Sequence, residues 1–275
     1  MKLGIFAKTF DGSTPLAVLS AARDAGYSAV QYNMTCSGLA ALPLEITGYV
    51  AAAVAEAADM TGVEIAAVSA TYNMIHPNAT VRERGRKGFE AIASVAREMG
   101  TRLLTVCSGS RDAENQWRHH PDNTSEAVWN EMCVEFARLL AIAEAYDVEI
   151  GVEPELNNVI SSAERARRLI ETLGSDRIRI VFDPANLFGL GDMKERRQII
   201  ESAVDLLQDR IALAHAKDRR ADGGFAAAGQ GVIDFAHYVA ALRRAGFSGC
   251  LITHGVAASE APQVANFLKS QLSPA

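Results

Sequence analysis

The sequence predicts an α/β protein folded as a closed (β/α)8 barrel, with one domain spanning residues 1–275. Three observations lead there. Eight short apolar runs alternate with eight longer amphipathic ones. A glycine stands just past several helix ends and just before the next apolar run, so a helix–Gly–strand unit recurs. No G-x-G-x-x-G follows the first strand, which argues against an open dinucleotide-binding sheet. Strands that alternate with crossover helices are parallel, and eight such units close naturally into a barrel.

Taken in order, strands are expected at 2–7, 28–32, 63–69, 102–107, 147–153, 178–182, 211–216 and 249–253. Each is short, rich in β-branched or other apolar residues, and bounded by turn residues. Helices are expected at roughly 15–25, 46–61, 81–99, 126–146, 162–173, 194–208, 234–245 and 260–271. Thr14-Pro15 places proline at a first helical position, where its missing N–H costs nothing. Ser161 and Glu164 have the spacing of a capping box. Gly26, Gly62, Gly100, Gly174 and Gly246 read as helix stops. The connection 108–125 is long for a compact fold, and such loops are more often functional than idle.

A net charge of −6 leaves no basic face for a nucleic-acid duplex, and no apolar stretch reaches membrane-spanning length. The four cysteines form no C-x-x-C pair, so neither a zinc ribbon nor a disulfide framework is expected. The N-terminal apolar run is too short for a secretory signal, and a cytoplasmic location is the expectation.

In a barrel of this kind the chemistry sits where strands end and βα loops begin. The last four strands all finish on a residue able to bind a metal: Glu153, Asp183, His215 and His254. Taken singly, each has a plain structural explanation, since Asp-Pro opens turns and a lone strand-end histidine is often a hydrogen-bonded core residue. On adjacent strands of one barrel they converge on a point. Carboxylate and imidazole donors without a thiolate suit one divalent ion, with Mn²⁺ first and Mg²⁺, Co²⁺ or Zn²⁺ as alternatives. Substrate contacts are expected from Glu155, Asn186 and Lys217 on the same strand ends. Earlier in the chain Asn73 and His76 either face the mouth or hold their own loop, and Lys8 either binds substrate or is solvated. In the long loop Arg111, Trp117 and His119 suit stacking on a ligand ring and gripping hydroxyls or a carboxylate; the alternative is a loop packed on its own tryptophan.

Several segments resemble the xylose isomerase-like TIM barrels, a family that includes ketose 3-epimerases, hydroxypyruvate isomerases, inosose dehydratase and endonuclease IV. They are Glu153 to Asn158, Asp183-Pro184-Ala185-Asn186, His215-Ala216-Lys217-Asp218, and the Gly229-Gln230-Gly231 turn that leads to Asp234. The likeness extends over the whole chain and is strongest from the fifth strand onward. It implies a soluble sugar or polyol enzyme, a homodimer or homotetramer, with the metal held by Glu153, Asp183 and His215. The family's epimerases have a second glutamate as fourth ligand; here His254 stands in its place. The family's Asp-x-x-His is also altered, to end on Asn186. Too few histidines are present for the trinuclear zinc site of endonuclease IV.

The resemblance implies an isomerase or epimerase in which Glu153 removes a proton next to a carbonyl, through an enediolate that the metal stabilises. His254, Glu155, Lys217 and His76 are the candidates for returning the proton. Epimerisation needs acid–base groups on both faces of the substrate, and the lost glutamate moves weight toward isomerisation. It also favours a lyase or dehydratase acting on a keto-sugar, keto-inositol or 3-keto-glycoside. A non-catalytic sugar-binding or partner subunit is the remaining reading.

Overall fold

The computed structural model describes residues 1–273. Eight parallel strands alternate with eight helices around a closed ring. In chain order they are β1 Lys2–Phe6, α1 Pro15–Asp24, β2 Ala29–Tyr32, α2 Gly48–Thr61, β3 Glu64–Ser69 and α3 Ala79–Ala96. There follow β4 Leu103–Val106, α4 Glu126–Ala145, β5 Glu149–Val152, α5 Ala163–Leu173, β6 Ile178–Phe182 and α6 Met193–Leu207. The chain ends with β7 Ile211–Arg219, β8 Phe225–Ala227, α7 Phe235–Arg244, β9 Cys250–Thr253 and α8 Ala261–Leu272. The ring runs β1 to β7 and then β9. The β6–β7, β7–β9 and β9–β1 pairings close it, and all are parallel.

Sequence and structure differ at two places that matter. β7 runs to Arg219, three residues beyond its expected end, because β8 pairs antiparallel with its last three residues. This hairpin lies past the barrel wall. The start of α5 is capped by Ser162 rather than Ser161: the Ser162 hydroxyl accepts the Arg165 N–H, so the third helical residue is Arg165 and no glutamate box forms. The capping box belongs instead to α6, between Asp192 and Glu195. Pro15 does open α1, and Gly62 and Gly174 close α2 and α5 in the left-handed conformation that glycine adopts without penalty.

The barrel interior is layered by the two-residue period of its strands. Ala29, Ala67, Leu103, Val181, Leu213, Cys250 and Ile252 form one buried apolar cluster inside the ring. Gly4 and Gly151 belong to it by necessity. A Cβ on Gly4 would lie 2.5 Å from Ile252 Cδ1, and one on Gly151 would lie 2.9 Å from Val181 Cγ2. Two residues further along the strands, the same inward positions are Gln31, Ser69, Thr105, Glu153, Asp183, His215 and His254. The apolar floor thus gives way in one step to a polar layer at the C-terminal ends. A second, larger apolar cluster packs the helices against the outside of the sheet.

Candidate active site

The polar layer is buried but not fully self-satisfied. His215 is 0% exposed and Asp183 1%. His215 Nδ1 stands 3.3 Å from Glu153 Oε1 and 3.5 Å from Asp183 Oδ2. One donor atom from each of these three residues falls within 4.8 Å of the others. Neither His215 Nδ1 nor Asp183 Oδ2 makes a hydrogen bond of good geometry. A buried polar atom without a partner costs free energy, and His215 Nδ1 is one, whereas Asp183 Oδ2 is faced by the Lys217 ammonium. Two carboxylates and one imidazole directed at one point make a donor set suited to a divalent cation.

The charges around this point are arranged in an alternating order. Burial works against a charged His215, but Glu153 and Asp183 beside it raise its pKa to about 9. Burial likewise opposes ionisation of Glu153 and Asp183. His215 and Lys217 outweigh it and hold both carboxyls below their ordinary values. Lys217 is 6% exposed; its ammonium lies 3.0 Å from Asp183 Oδ2 and 4.3 Å from the centre of the Phe225 ring on β8. The hairpin that extends β7 thus covers the lysine with an aromatic face.

Asn186 joins the parts. Its Nδ2 donates to Glu153 Oε1 at 2.8 Å and to Glu155 Oε1 at 2.7 Å, while its Oδ1 accepts from Lys217 Nζ at 2.8 Å. A short 3-10 turn, Pro184–Asn186, brings it into place, and Asp183 Oδ1 caps that turn by accepting the Ala185 N–H. Burial and the neighbouring Glu153 push Glu155 up to about 8, so it carries a proton at neutral pH. Cys107 Sγ lies 3.9 Å from Glu153 Oε2, and burial keeps it a thiol.

His254 stands beside the group rather than within it. Its ring stacks on His215 with centroids 5.3 Å apart and on Phe6 at 5.0 Å. Burial, and then the positive neighbours His215 and Lys217, lower its pKa to about 4. It is therefore neutral at working pH, and its buried Nδ1 has no partner.

The other candidates form no hydrogen bond or ion pair with this group. Asn73 spends its side chain on the long loop, donating to Ser110 O at 2.7 Å and accepting the Ser110 N–H. His76 uses both ring nitrogens, one toward Ala113 O and one accepting the Asn78 N–H. Arg111 reaches Ile75 O and pairs with Glu131 on α4. Trp117 is 45% exposed, and His119 and Lys8 are exposed as well. The long loop is tied down mainly by Asn123, Asn157 and Asn158, which bridge it to the loop after β5.

Gln31 escaped the sequence reading although it carries the floor of the site. It is 4% exposed, and its Nε2 donates to Ser69 Oγ at 3.0 Å and Thr105 Oγ1 at 3.1 Å. Its Oε1 stands 2.7 Å from His215 Nε2. The signal was present: a glutamine inside the buried strand Ala29-Val30-Gln31-Tyr32 needs partners. Asp218, the last residue of the His215-Ala216-Lys217-Asp218 motif, is a loop organiser. Its carboxylate accepts the backbone N–H groups of Arg219, Gly229, Gly231 and Ile233. Gly231 is required there, since a Cβ would lie 2.3 Å from Arg219 O.

Solved structures share this architecture. The 3-keto-D-glucoside 4-epimerase YcjR from E. coli superposes with a TM-score of 0.77 at 17% identity, over 98% of this chain and 99% of that one. The IOLI protein with a bound zinc atom gives 0.75 at 17% identity, over 99% and 98%. L-ribulose 3-epimerase gives 0.75 at 18% identity, over 98% and 94%. At such identities the likeness is one of fold. No curated protein sequence matches the chain. The family model described as xylose isomerase-like TIM barrel matches residues 19–271, and this chain belongs to that family.

Proposed function

We propose that the protein is a divalent-metal-dependent isomerase or epimerase of a sugar or keto-sugar. The observation that carries this reading is the convergence of Glu153, Asp183 and His215 on one buried point, where His215 Nδ1 lacks a hydrogen bond. These three residues would hold the cation, and the unpartnered Nδ1 of the neutral His254 is available as a fourth donor. Mn²⁺ is the first choice, with Mg²⁺, Co²⁺ and Zn²⁺ as alternatives; the zinc atom in the IOLI structure is in keeping with such a site. When bound, the ion supplies Lewis-acid stabilisation of the negative charge that develops on a substrate carbonyl oxygen.

The residues do the rest. Glu153, ionised and anchored through Oε1 by Asn186, removes the proton next to the carbonyl. Glu155, protonated at neutral pH and held by the same amide, is the nearest group to return one. Lys217 offsets the negative charge of Asp183. A cytoplasmic homodimer or homotetramer is the form proposed, with the one-domain barrel as its unit.

One observation favours a second reading. Glu153 and Glu155 share one amide and so are close neighbours, while the end of β9 leads to a neutral histidine where the resemblance would place a second carboxylate. One-sided proton transfer suits isomerisation, and equally a lyase or dehydratase acting on a keto-sugar, keto-inositol or 3-keto-glycoside.

The test is α-proton exchange in D₂O, followed by NMR with a panel of ketoses, 3-keto-glycosides and keto-inositols. Metal-free and Mn²⁺-loaded protein would be compared with Glu153→Gln. Metal-dependent exchange that disappears in the variant is expected, and its product separates isomerase from lyase. Exchange that survives in the variant would overturn the role of Glu153, and a protein that takes up no divalent ion would overturn the reading itself.

A further inference from the structure

Gln31 lies across the barrel from the metal-directed carboxylates and touches neither, yet its three side-chain bonds reach β3, β4 and β7. The two ends of its amide are chemically distinct. The nitrogen end donates to two hydroxyls, on Ser69 and Thr105, which leaves the carbonyl end facing His215 Nε2 at 2.7 Å. A carbonyl oxygen only accepts, so His215 Nε2 must carry the hydrogen. A neutral imidazole has one N–H, and fixing it at Nε2 leaves the Nδ1 lone pair bare. Nδ1 is the atom that faces Glu153 and Asp183 and has no hydrogen bond of its own.

We propose that Gln31 is a positioning residue for cation binding: anchored by Ser69 and Thr105, it sets the tautomer and ring orientation of His215 so that Nδ1 is the ligand atom. The proposal rests on the metal-site reading above and deepens it. Outer hydrogen-bond partners of ligand histidines do this generally, and losing one weakens metal binding by about 10- to 100-fold. The glutamine has no charge, so it orients the ring without adding a third anion to the layer that holds Glu153 and Asp183.

The test has two arms. In the first, ¹⁵N-histidine NMR of the metal-free wild-type protein, recorded below and above about pH 9, reads His215 directly in its charged and neutral forms. A proton on Nε2 is expected whatever Nδ1 carries; an unprotonated Nε2 would overturn the proposal. In the second, Zn²⁺ alone is titrated into wild type, Gln31→Met and Gln31→Glu, with thermal unfolding recorded for each. Gln31→Met keeps the shape without the acceptor and is expected to bind about 10- to 100-fold more weakly. Gln31→Glu keeps an acceptor and is expected to stay within about threefold of wild type. Wild-type affinity in Gln31→Met would show that the side chain only fills space, and equal losses in both variants would show that its acceptor oxygen does not position the ring; either overturns the proposal. If Gln31→Met does not fold, the Ser69→Ala/Thr105→Val variant, which frees the amide to turn, takes its place with a severalfold loss expected and no loss overturning. A wild-type protein that binds no Zn²⁺ but keeps the Nε2 proton would sink the metal-site reading, and with it the cation-binding role, while leaving the His215–Gln31 contact in place.

Discussion

The imidazole of His254 lies nearly parallel to that of His215, with ring centres 5.3 Å apart and planes inclined by 22°. Two rings stacked this closely inside a barrel cannot both be cations without mutual repulsion. The pair divides the work: His215, between two carboxylates, holds a proton to about pH 9, and His254, held down by burial and by its positive neighbours His215 and Lys217, loses its own at about pH 4. His254→Ala is expected to weaken Mn²⁺ binding by about tenfold, because it removes the neutral fourth donor and leaves the three-residue group intact. Asp183→Asn is expected to weaken it by 100-fold or more. Competition with a chelating dye measures both, and equal losses would place His254 among the primary ligands.

Metal uptake should release a proton. Below about pH 9 the metal-free protein carries a charged His215, faced by Glu153, Asp183, Lys217, His254 and Gln31. A cation at Nδ1 displaces that proton, so apparent affinity is expected to rise about tenfold per pH unit toward pH 9 and then to level off. Free Mn²⁺ measured by electron paramagnetic resonance across pH 6–9 checks the slope; a flat profile would mean His215 is neutral before binding. The same shift acts on folding with a fixed sign. The charged His215 stabilises the metal-free fold fully below about pH 6.5, and that contribution is lost as pH rises through about 9.

Lys217 is expected to support the fold and oppose the cation. Its ammonium is buried 3.0 Å from Asp183, and removing one member of such a pair leaves the other charge unpaired, at a cost of about 3–5 kcal/mol. Lys217→Met should therefore lower the urea midpoint of the metal-free protein. With a positive charge gone from beside Asp183, Mn²⁺ affinity should rise. Weaker binding in a folded Lys217→Met protein would contradict this electrostatic account.

Gly231→Ala tests the loop built on Asp218. The added Cβ would meet Arg219 O and the Asp218 carboxylate at 2.3 and 2.4 Å, and backbone cannot yield cheaply there. A loss of about 1–3 kcal/mol is expected. Gly62→Ala, in open space but with φ +68, supplies the comparison for left-handed strain without crowding. Denaturant unfolding distinguishes them, and the Gly231 variant should also reduce proton exchange by shifting the end of β7.

The sequence by itself determined the barrel, because alternation of short apolar runs with amphipathic helices is a local pattern repeated eight times. It also determined that Glu153, Asp183 and His215 end adjacent strands, since strand order follows chain order in such a fold. It could not decide which nearby polar residues join them. Asn73, His76 and Arg111 resemble site residues in composition, but their donors and acceptors are spent on the long loop and on Glu131. Gln31 sits 184 residues before His215 and meets it only because the ring closes through β9. Protonation states were equally a matter of tertiary structure. Glu153 and Glu155 are two residues apart and chemically alike, yet burial and unequal access to His215 and Lys217 move their pKa values in opposite directions. Periodicity is encoded along the chain; partnership and solvation arise only when distant strands close around the same point.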